Sequence, residues 1–386
     1  MKICHVITRM IVGGAQENTL LSCRGAVEEG HDVTLVTGPS PGPEGELLKR
    51  VSCPGLRIVE CPYLVREISP LTDLKAYIHL KKLFRAERYD VVHTHSSKAG
   101  IIGRFAAKAA RVPLVAHTIH GLAYHRYEKL WKNILYIASE RAAASCGKRI
   151  YAVAQAMIDQ SLAAGVGRKE QYKVVYSGME LEPFLNSVPD PELRKRLGIP
   201  ENAVVFATLA RLFPLKGYED FIPVALKLAK EIPEIHFLII GNGTMMEEIQ
   251  GWIRREGLEA RFSFAGLVPP GEVWKYLALS SALVHFSLRE GLPRAAVQSL
   301  ASGKPVIAYA LDGTPEVVIP GQTGYLLEPG DRAGAETAIR AIIADPVHAS
   351  ELGANGRRLV ESRFDWRTMS DALLKDYAEC LAAESR

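Results

Sequence analysis

The sequence predicts an α/β protein of two domains, each an open, doubly wound parallel sheet with helices on both faces. Three observations carry that prediction. At 386 residues the chain has the length of two domains, or three, at roughly 100–200 residues each. Short β-branched runs alternate with longer amphipathic segments from end to end, which is the cadence of βαβ units and parallel strands. A stretch near the middle, SGMELEPFLNSVPDPELRKRLGIPEN, is rich in Pro and charge and lacks sustained periodicity. It divides the chain near residue 185 into domains 1–185 and 186–386, with the last helix a candidate to pack back on the first.

The first half opens on KICHVI (2–7), apolar and β-branched, and a helical pattern from Ala15 to Glu28 follows. DVTLVT and LRIVE are the next strands, then a helix over 72–87, the strand DVVHTH, and a helix near 98–110. PLVAHT is the fifth strand, and a long helix near 126–144 precedes the strand RIYAV. In the second half AVVFATLA leads to a helix after Gly217, and IHFLIIG to one after Gly243. RFSFAG, ALVHFS and PVIAY are further strands, each followed by a helical stretch.

Composition excludes several classes. A hydrophobic fraction of 48% with 23% charged residues belongs to a globular chain with a sizeable core, not to a disordered, collagenous or disulfide-dense one. Six scattered cysteines form no C-x-x-C pair, and no histidines cluster at zinc spacing. They read as reduced thiols of a cytoplasmic protein. Arg9 interrupts the apolar N-terminus, which reads as a strand and not as a signal peptide. No run approaches the ~18–20 apolar residues of a membrane span. Residues 1–185 carry 25 Lys+Arg against 17 Asp+Glu, whereas the remainder carries 22 against 26. The basic half could face an anionic membrane or an acidic ligand, or simply present solvated helix faces.

Open parallel sheets bind ligands at the carboxyl ends of their strands, so the informative loops follow strands. GGAQEN (13–18) precedes a helix, and its glycines serve either a tight turn or the approach of an anionic ligand to the helix N-terminus. GNG (241–243) is placed similarly. His117 reads as a packed strand histidine, whereas His120, beside Gly121, can reach a ligand; His95 in DVVHTH is also near a loop. Arg211 and Lys216 in ARLFPLKG put two cations on one strand-to-helix loop, a pattern that suits a pyrophosphate. Glu290 and Gly291 form the turn after HFSLR, where a carboxylate is either a helix cap or a catalytic group.

Taken in order, GGAQ, the HG loop, R-x4-K, GNG, EGLPRAAVQ, ASGKPVIA, DGTPEVV and GQTGYLLEPGD resemble the family 4 retaining glycosyltransferases of the GT-B fold over nearly the whole chain. The resemblance implies two Rossmann-like domains facing across a cleft. It implies transfer of a hexosyl unit from a nucleotide diphosphate sugar to an acceptor glycan or lipid-linked sugar, in surface polysaccharide or glycolipid synthesis. Arg211 and Lys216 correspond to the diphosphate-binding pair and Gly14 to the glycine that lets the first loop approach the diphosphate. Glu290 corresponds to the first carboxylate of E-x7-E and His120 to the histidine that reaches the donor sugar. Gly241, Leu267, Val268, Gly291 and Leu292 fall on nucleotide-sugar-binding segments, with Leu267 and Val268 where the nucleobase is received. His95 is assigned to the acceptor side. One departure stands out: the second glutamate of E-x7-E, which binds ribose hydroxyls, is Gln298 here.

No D-x-D triplet is present, so no metal and no cofactor are expected, and Arg211 with Lys216 would stabilise the leaving diphosphate. The donor is expected to be UDP- or GDP-linked, and nucleic acid is not an expected partner. The expected location is cytoplasmic, with peripheral attachment to the inner face of the plasma membrane. Tyr127, Trp131 and Tyr136 among Arg126, Lys129 and Lys132 have the chemistry of a membrane interface, although a packed helix fits equally. An epimerase-like GT-B enzyme and a non-catalytic sugar-nucleotide binder are the alternatives to transfer.

Overall fold

The computed structural model describes residues 1–40, 47–50 and 53–383, and the chain forms two units, Met1–Met179 with Phe364–Arg386, and Glu180–Arg363. The division falls before residue 185. The chain rejoins the first unit because the helix Trp366–Ala382 buries Trp366, Met369, Leu373 and Tyr377 in the core shared with the helix Gly14–Glu28. Asp376 locks it there. Only 1% exposed, its carboxylate accepts from Tyr151 Oη (2.7 Å), Arg149 Nε (2.8 Å) and Lys173 Nζ (2.8 Å).

The first unit is built on β1 (Lys2–Ile7), β2 (Asp32–Thr37), β3 (Arg57–Glu60), β4 (Val91–His95), β5 (Leu114–Ile119), β6 (Arg149–Ala152) and β7 (Tyr172–Val174). They are parallel, in the order β3-β2-β1-β4-β5-β6-β7. Every residue of β4 and β5 is buried, as expected of strands covered on both faces. Two details differ from the sequence reading. The edge strand β7 is only three half-buried residues, too short to show a period. The helix expected near 126–144 begins at Leu130, because the Asn133 side chain holds the backbone of His125 at both its N–H (3.1 Å) and its carbonyl (2.8 Å) outside the helix.

The second unit contains β8 (Val204–Leu209), β9 (Ile235–Ile240), β10 (Phe262–Gly266), β11 (Ala282–His285), β12 (Val306–Tyr309) and β13 (Gly324–Leu327), again parallel, in the order β10-β9-β8-β11-β12-β13. Phe206, Phe237, Val284 and Ile307 pack with Ile222, Leu228, Ile253 and Ile339 from the covering helices. The four-residue β13 closes one edge after the turn at 321–324 and was not legible as a strand. In each sheet the strand order reverses once, between β1 and β4 and between β8 and β11. Loops leaving adjacent strands at such a point diverge, and the gap at the carboxyl ends is where these sheets take ligands. No helix among the described residues is long and apolar enough to cross a membrane.

Candidate active site

In the second unit the reversal between β8 and β11 brings Lys216 and Glu290 together. Lys216 Nζ donates to Glu290 Oε1 at 2.7 Å and to Ser287 Oγ at 3.2 Å. The backbone forces this placement. Leu215 adopts φ +68° and its carbonyl accepts from Leu288 N at 2.9 Å, tying the loop after β8 to the loop after β11. Gly217 must be glycine: its φ is +78°, and a Cβ would lie 2.1 Å from the Phe286 carbonyl oxygen. Glu290 is fixed from β12: Asp312, itself at φ +52°, accepts from Glu290 N at 2.8 Å, and Gly313 N donates to the Gly291 carbonyl at 3.2 Å. Left-handed conformations outside glycine are uncommon and cluster where a site needs them.

Burial alone would raise the Glu290 carboxyl, but the Lys216 ammonium and His285, whose Nε2 lies 3.5 Å from Oε1, outweigh it and hold the group well below the usual carboxylate range. Glu290 is therefore ionised at neutral pH, which suits orientation of a polyol better than proton abstraction. Arg211, on the same loop as Lys216, is exposed and lays its guanidinium over Phe213 at 5.3 Å from the ring centroid. Gly241 ends β9 at φ +144°, where a Cβ would meet the Ala210 carbonyl at 2.0 Å, and its N–H donates to Gly266 O at 3.0 Å. That bond ties the end of β9 to the end of β10. Leu267, 73% exposed, and half-buried Val268 follow β10 directly. Leu292 is buried, Gly291 half-buried, and Gln298 half-buried on the helix Arg294–Ala301. His285, Ser287 and Asp312 complete the site and were missed in the sequence. His285 looked like one more strand residue, and the position of Asp312 depends on β12 lying beside β11.

In the first unit Gly14 is the first residue of the helix after β1. Histidines scattered through the sequence converge across β1, β4 and β5. Candidate ligand atoms of His5, His93 and His95 lie within 4.8 Å of one another, close enough for a metal. Five of their six nitrogens, all but His5 Nε2, are in hydrogen bonds. His93 meets Tyr377 Oη and Thr118 Oγ1 (2.7 Å), and His95 meets His5 (2.9 Å) and His120 (3.0 Å). Half-buried His120 stands at the outer end of this group, whereas His95 is fully buried. His95 was assigned to the acceptor side, but a side chain with no exposed surface and both nitrogens on other histidines has no face for an acceptor. His117 is a packed strand histidine, bonded to Thr94 Oγ1 at 2.9 Å. All six cysteines are free thiols.

Comparison with known proteins decides what these sites belong to. Residues 189–359 match the family described as glycosyl transferases group 1, and residues 13–178 match the glycosyl transferase 4-like domain. The chain is 30% identical, over 90% of its own length and 89% of the other's, to UDP-Gal:alpha-D-GlcNAc-diphosphoundecaprenol alpha-1,3-galactosyltransferase of Escherichia coli. The chain belongs to the family 4 glycosyltransferases. A D-inositol 3-phosphate glycosyltransferase of Streptomyces avermitilis is 26% identical over 77% of this chain and 67% of that protein. In fold, this glycosyltransferase matches HepE of Anabaena in complex with UDP (TM-score 0.82, 22% identity, 98% of this chain and 100% of that one). It likewise matches sucrose-phosphate synthase of Thermosynechococcus elongatus (TM-score 0.85, 21% identity, 99% and 100%). Its two parallel-sheet units are those of the GT-B fold, and its activity is glycosyl transfer from a nucleotide sugar to an acceptor.

Proposed function

We propose that this glycosyltransferase moves a hexosyl unit, with retention, from a UDP-sugar to a lipid-diphosphate-linked sugar in surface polysaccharide synthesis. The observation that carries the reading is the Lys216–Glu290 contact of 2.7 Å at the β8/β11 reversal. It sets a cation beside an ionised carboxylate, as breaking a sugar–phosphate bond requires. Negative charge grows on the departing diphosphate and positive charge on the anomeric carbon. Lys216 as a point charge and Arg211 by its fork stabilise the first, and the N–H groups opening the helix at Gly14 add to them. We assign them in place of a metal ion, and no resident cofactor enters the proposal. Glu290 grips a sugar hydroxyl and His120 is the histidine that touches the transferred sugar. Gly241, Gly291 and Leu292 shape the floor, Leu267 and Val268 receive the base, and Gln298 meets the ribose. The acceptor hydroxyl attacks from the face the diphosphate leaves and gives its proton to a phosphate oxygen.

UDP is favoured because the Escherichia coli relative is named for UDP-galactose and HepE was crystallised with UDP; the lipid-linked acceptor follows from the same relative. A peripheral membrane contact fits that acceptor. The helix Leu130–Ala144 exposes Leu130 (76%), Trp131 (61%) and Ile134 (60%), with exposed Arg126 and Lys129 just before it. Apolar and basic groups in that arrangement suit an anionic bilayer surface. The test is release of nucleoside diphosphate from a panel of UDP- and GDP-sugars, with and without GlcNAc-diphosphoundecaprenol. Acceptor-dependent UDP release supports the reading; release of GDP alone, or release indifferent to acceptor, overturns it. Trp131→Glu should reduce sedimentation with phosphatidylglycerol vesicles and leave donor use unchanged.

A further inference from the structure

Three histidines, His5 on β1, His95 at the end of β4 and His120 just after β5, form one hydrogen-bonded row in the first unit. His5 Nδ1 lies 2.9 Å from His95 Nε2, and His95 Nδ1 lies 3.0 Å from His120 Nε2. Ring centroids stand 5.2 and 5.3 Å apart with planes inclined by only 20° and 28°. These centroid distances exceed the nitrogen distances by about two ring radii, so the rings meet edge to edge, each nitrogen aimed at the next. His5 is 1% exposed and His95 0%. The titratable groups packed around them are His93, with Tyr151 and Tyr377 against it, and His117 bonded to Thr94 on β4.

Counting protons constrains the row. Burial pushes His5 down to about 3, and burial together with the neighbouring imidazoles holds His95 well below its ordinary value, so both are neutral. A neutral imidazole carries one N–H and one lone pair, and each nitrogen–nitrogen contact needs one of each. If His95 carries its proton on Nδ1, then His5 and His120 must carry theirs on Nδ1 as well. If His95 carries it on Nε2, all three carry it on Nε2. Any mixed arrangement leaves one contact with two protons or with none, at the cost of an unsatisfied buried polar group.

We infer that His95, backed by His5, is a positioning residue for transfer: it sets the ring plane and the tautomer of His120. Through it, the core of the first unit decides whether Nδ1 of His120 meets a substrate hydroxyl as donor or as acceptor. The inference rests on the reading of His120 as the residue that touches the sugar. It also accounts for a buried polar row that a well-packed strand interior does not need.

The test uses the full chain labelled with ¹⁵N-histidine. Long-range ¹H–¹⁵N spectra show which nitrogen of each ring is protonated. At pH 8, above the ordinary ~6.5 of a histidine, the three rings should share one tautomer. In His95→Phe the signals of His120 should change, because its Nε2 loses its partner. Mixed tautomers in the parent, His120 signals untouched by His95→Phe, or a stoichiometric metal in protein purified without chelator would each overturn the row. With UDP-galactose and the lipid acceptor, His95→Phe should lower kcat about 10–100-fold, the scale of lost partners that orient liganding histidines, at little change in KM. The same substitution in a His120→Ala background should cost nothing further. Lost turnover in His120→Ala beside parent-like turnover in His95→Phe would overturn the positioning role alone. Parent-like turnover in His120→Ala would overturn the sugar-contact reading, and the transfer role with it. The parent spectrum tests the row even where His95→Phe fails to fold.

Discussion

Replacing Lys216 with methionine keeps most of the apolar stem, removes the charge, and should move two observables at once. The ammonium sits 2.7 Å from Glu290 Oε1, with side chains 25% and 16% exposed. Coulomb attraction at that distance is about 6 kcal/mol at an effective dielectric constant of about 20. Desolvation returns most of it, leaving the ~1.5–3 kcal/mol of a hydrogen bond to a charged group, or about one to two pKa units. Without Lys216, burial acts on Glu290 with less opposition, and its carboxyl rises toward the usual carboxylate range while His285 still holds it down. Turnover should fall by roughly 10²–10³, the scale of a lost transition-state donor. The acid limb of the kcat/KM profile should therefore lie at higher pH than the parent's, by about one to two units. A Lys216→Met enzyme that is slow but keeps the parent's acid limb unmoved would refute the coupling. Parent-like turnover would refute the diphosphate assignment as well.

Three further outcomes are expected. Gln298→Glu should change KM for donor by up to roughly tenfold, ~1.4 kcal/mol, and leave kcat nearly constant, since ribose contacts are alike in ground and transition states; a kcat effect at constant KM would place Gln298 at the reacting sugar. Activity should persist in EDTA, and loss restored by Mg²⁺ or Mn²⁺ would show that the leaving group is stabilised otherwise. Asp376→Ala should destabilise the first unit by roughly 1–3 kcal/mol in urea titration, because three donors lose one acceptor. Burial alone would raise this carboxyl, but Lys173, Tyr151 and Arg149 hold it below its ordinary value. Its stabilisation is therefore present above the unfolded ~3.9 and is lost as pH falls through the lower folded value. A parent-like urea midpoint, or the same acid sensitivity in the variant, would count against that lock.

The alternation of strands and helices was legible because both sheets are parallel and buried, so their strands are continuous apolar runs such as VVFATL and IHFLII. Edge strands β7 and β13 were not legible because runs of three or four residues, nearly all half-buried, carry no period. Arg211, Lys216 and Glu290 were legible for a local reason: each is a charge on a loop between a strand and a helix. Their partners were not. Asp312 reaches Glu290 N and His285 approaches its carboxylate only because β11 lies between β8 and β12. The histidine row is less legible still. Positions 5, 95 and 120 meet because β4 inserts between β1 and β5, and no spacing in the sequence records that. The acceptor-side reading of His95 fails for the same reason, since proximity to a loop says nothing of the burial of a strand that lies between β1 and β5.

The most direct test of retaining transfer at this site is the anomeric configuration of the product made from UDP-α-D-galactose and GlcNAc-diphosphoundecaprenol, read by proton NMR. Same-face attack, with Arg211 and Lys216 on the diphosphate and Glu290 holding the sugar, predicts an α-linked disaccharide with the small H1–H2 coupling of that anomer. A β-linked product would require an attacking group activated on the opposite face. That result would contradict the account, because Glu290, held ionised by Lys216 on the leaving-group side, could not then have the role given to it.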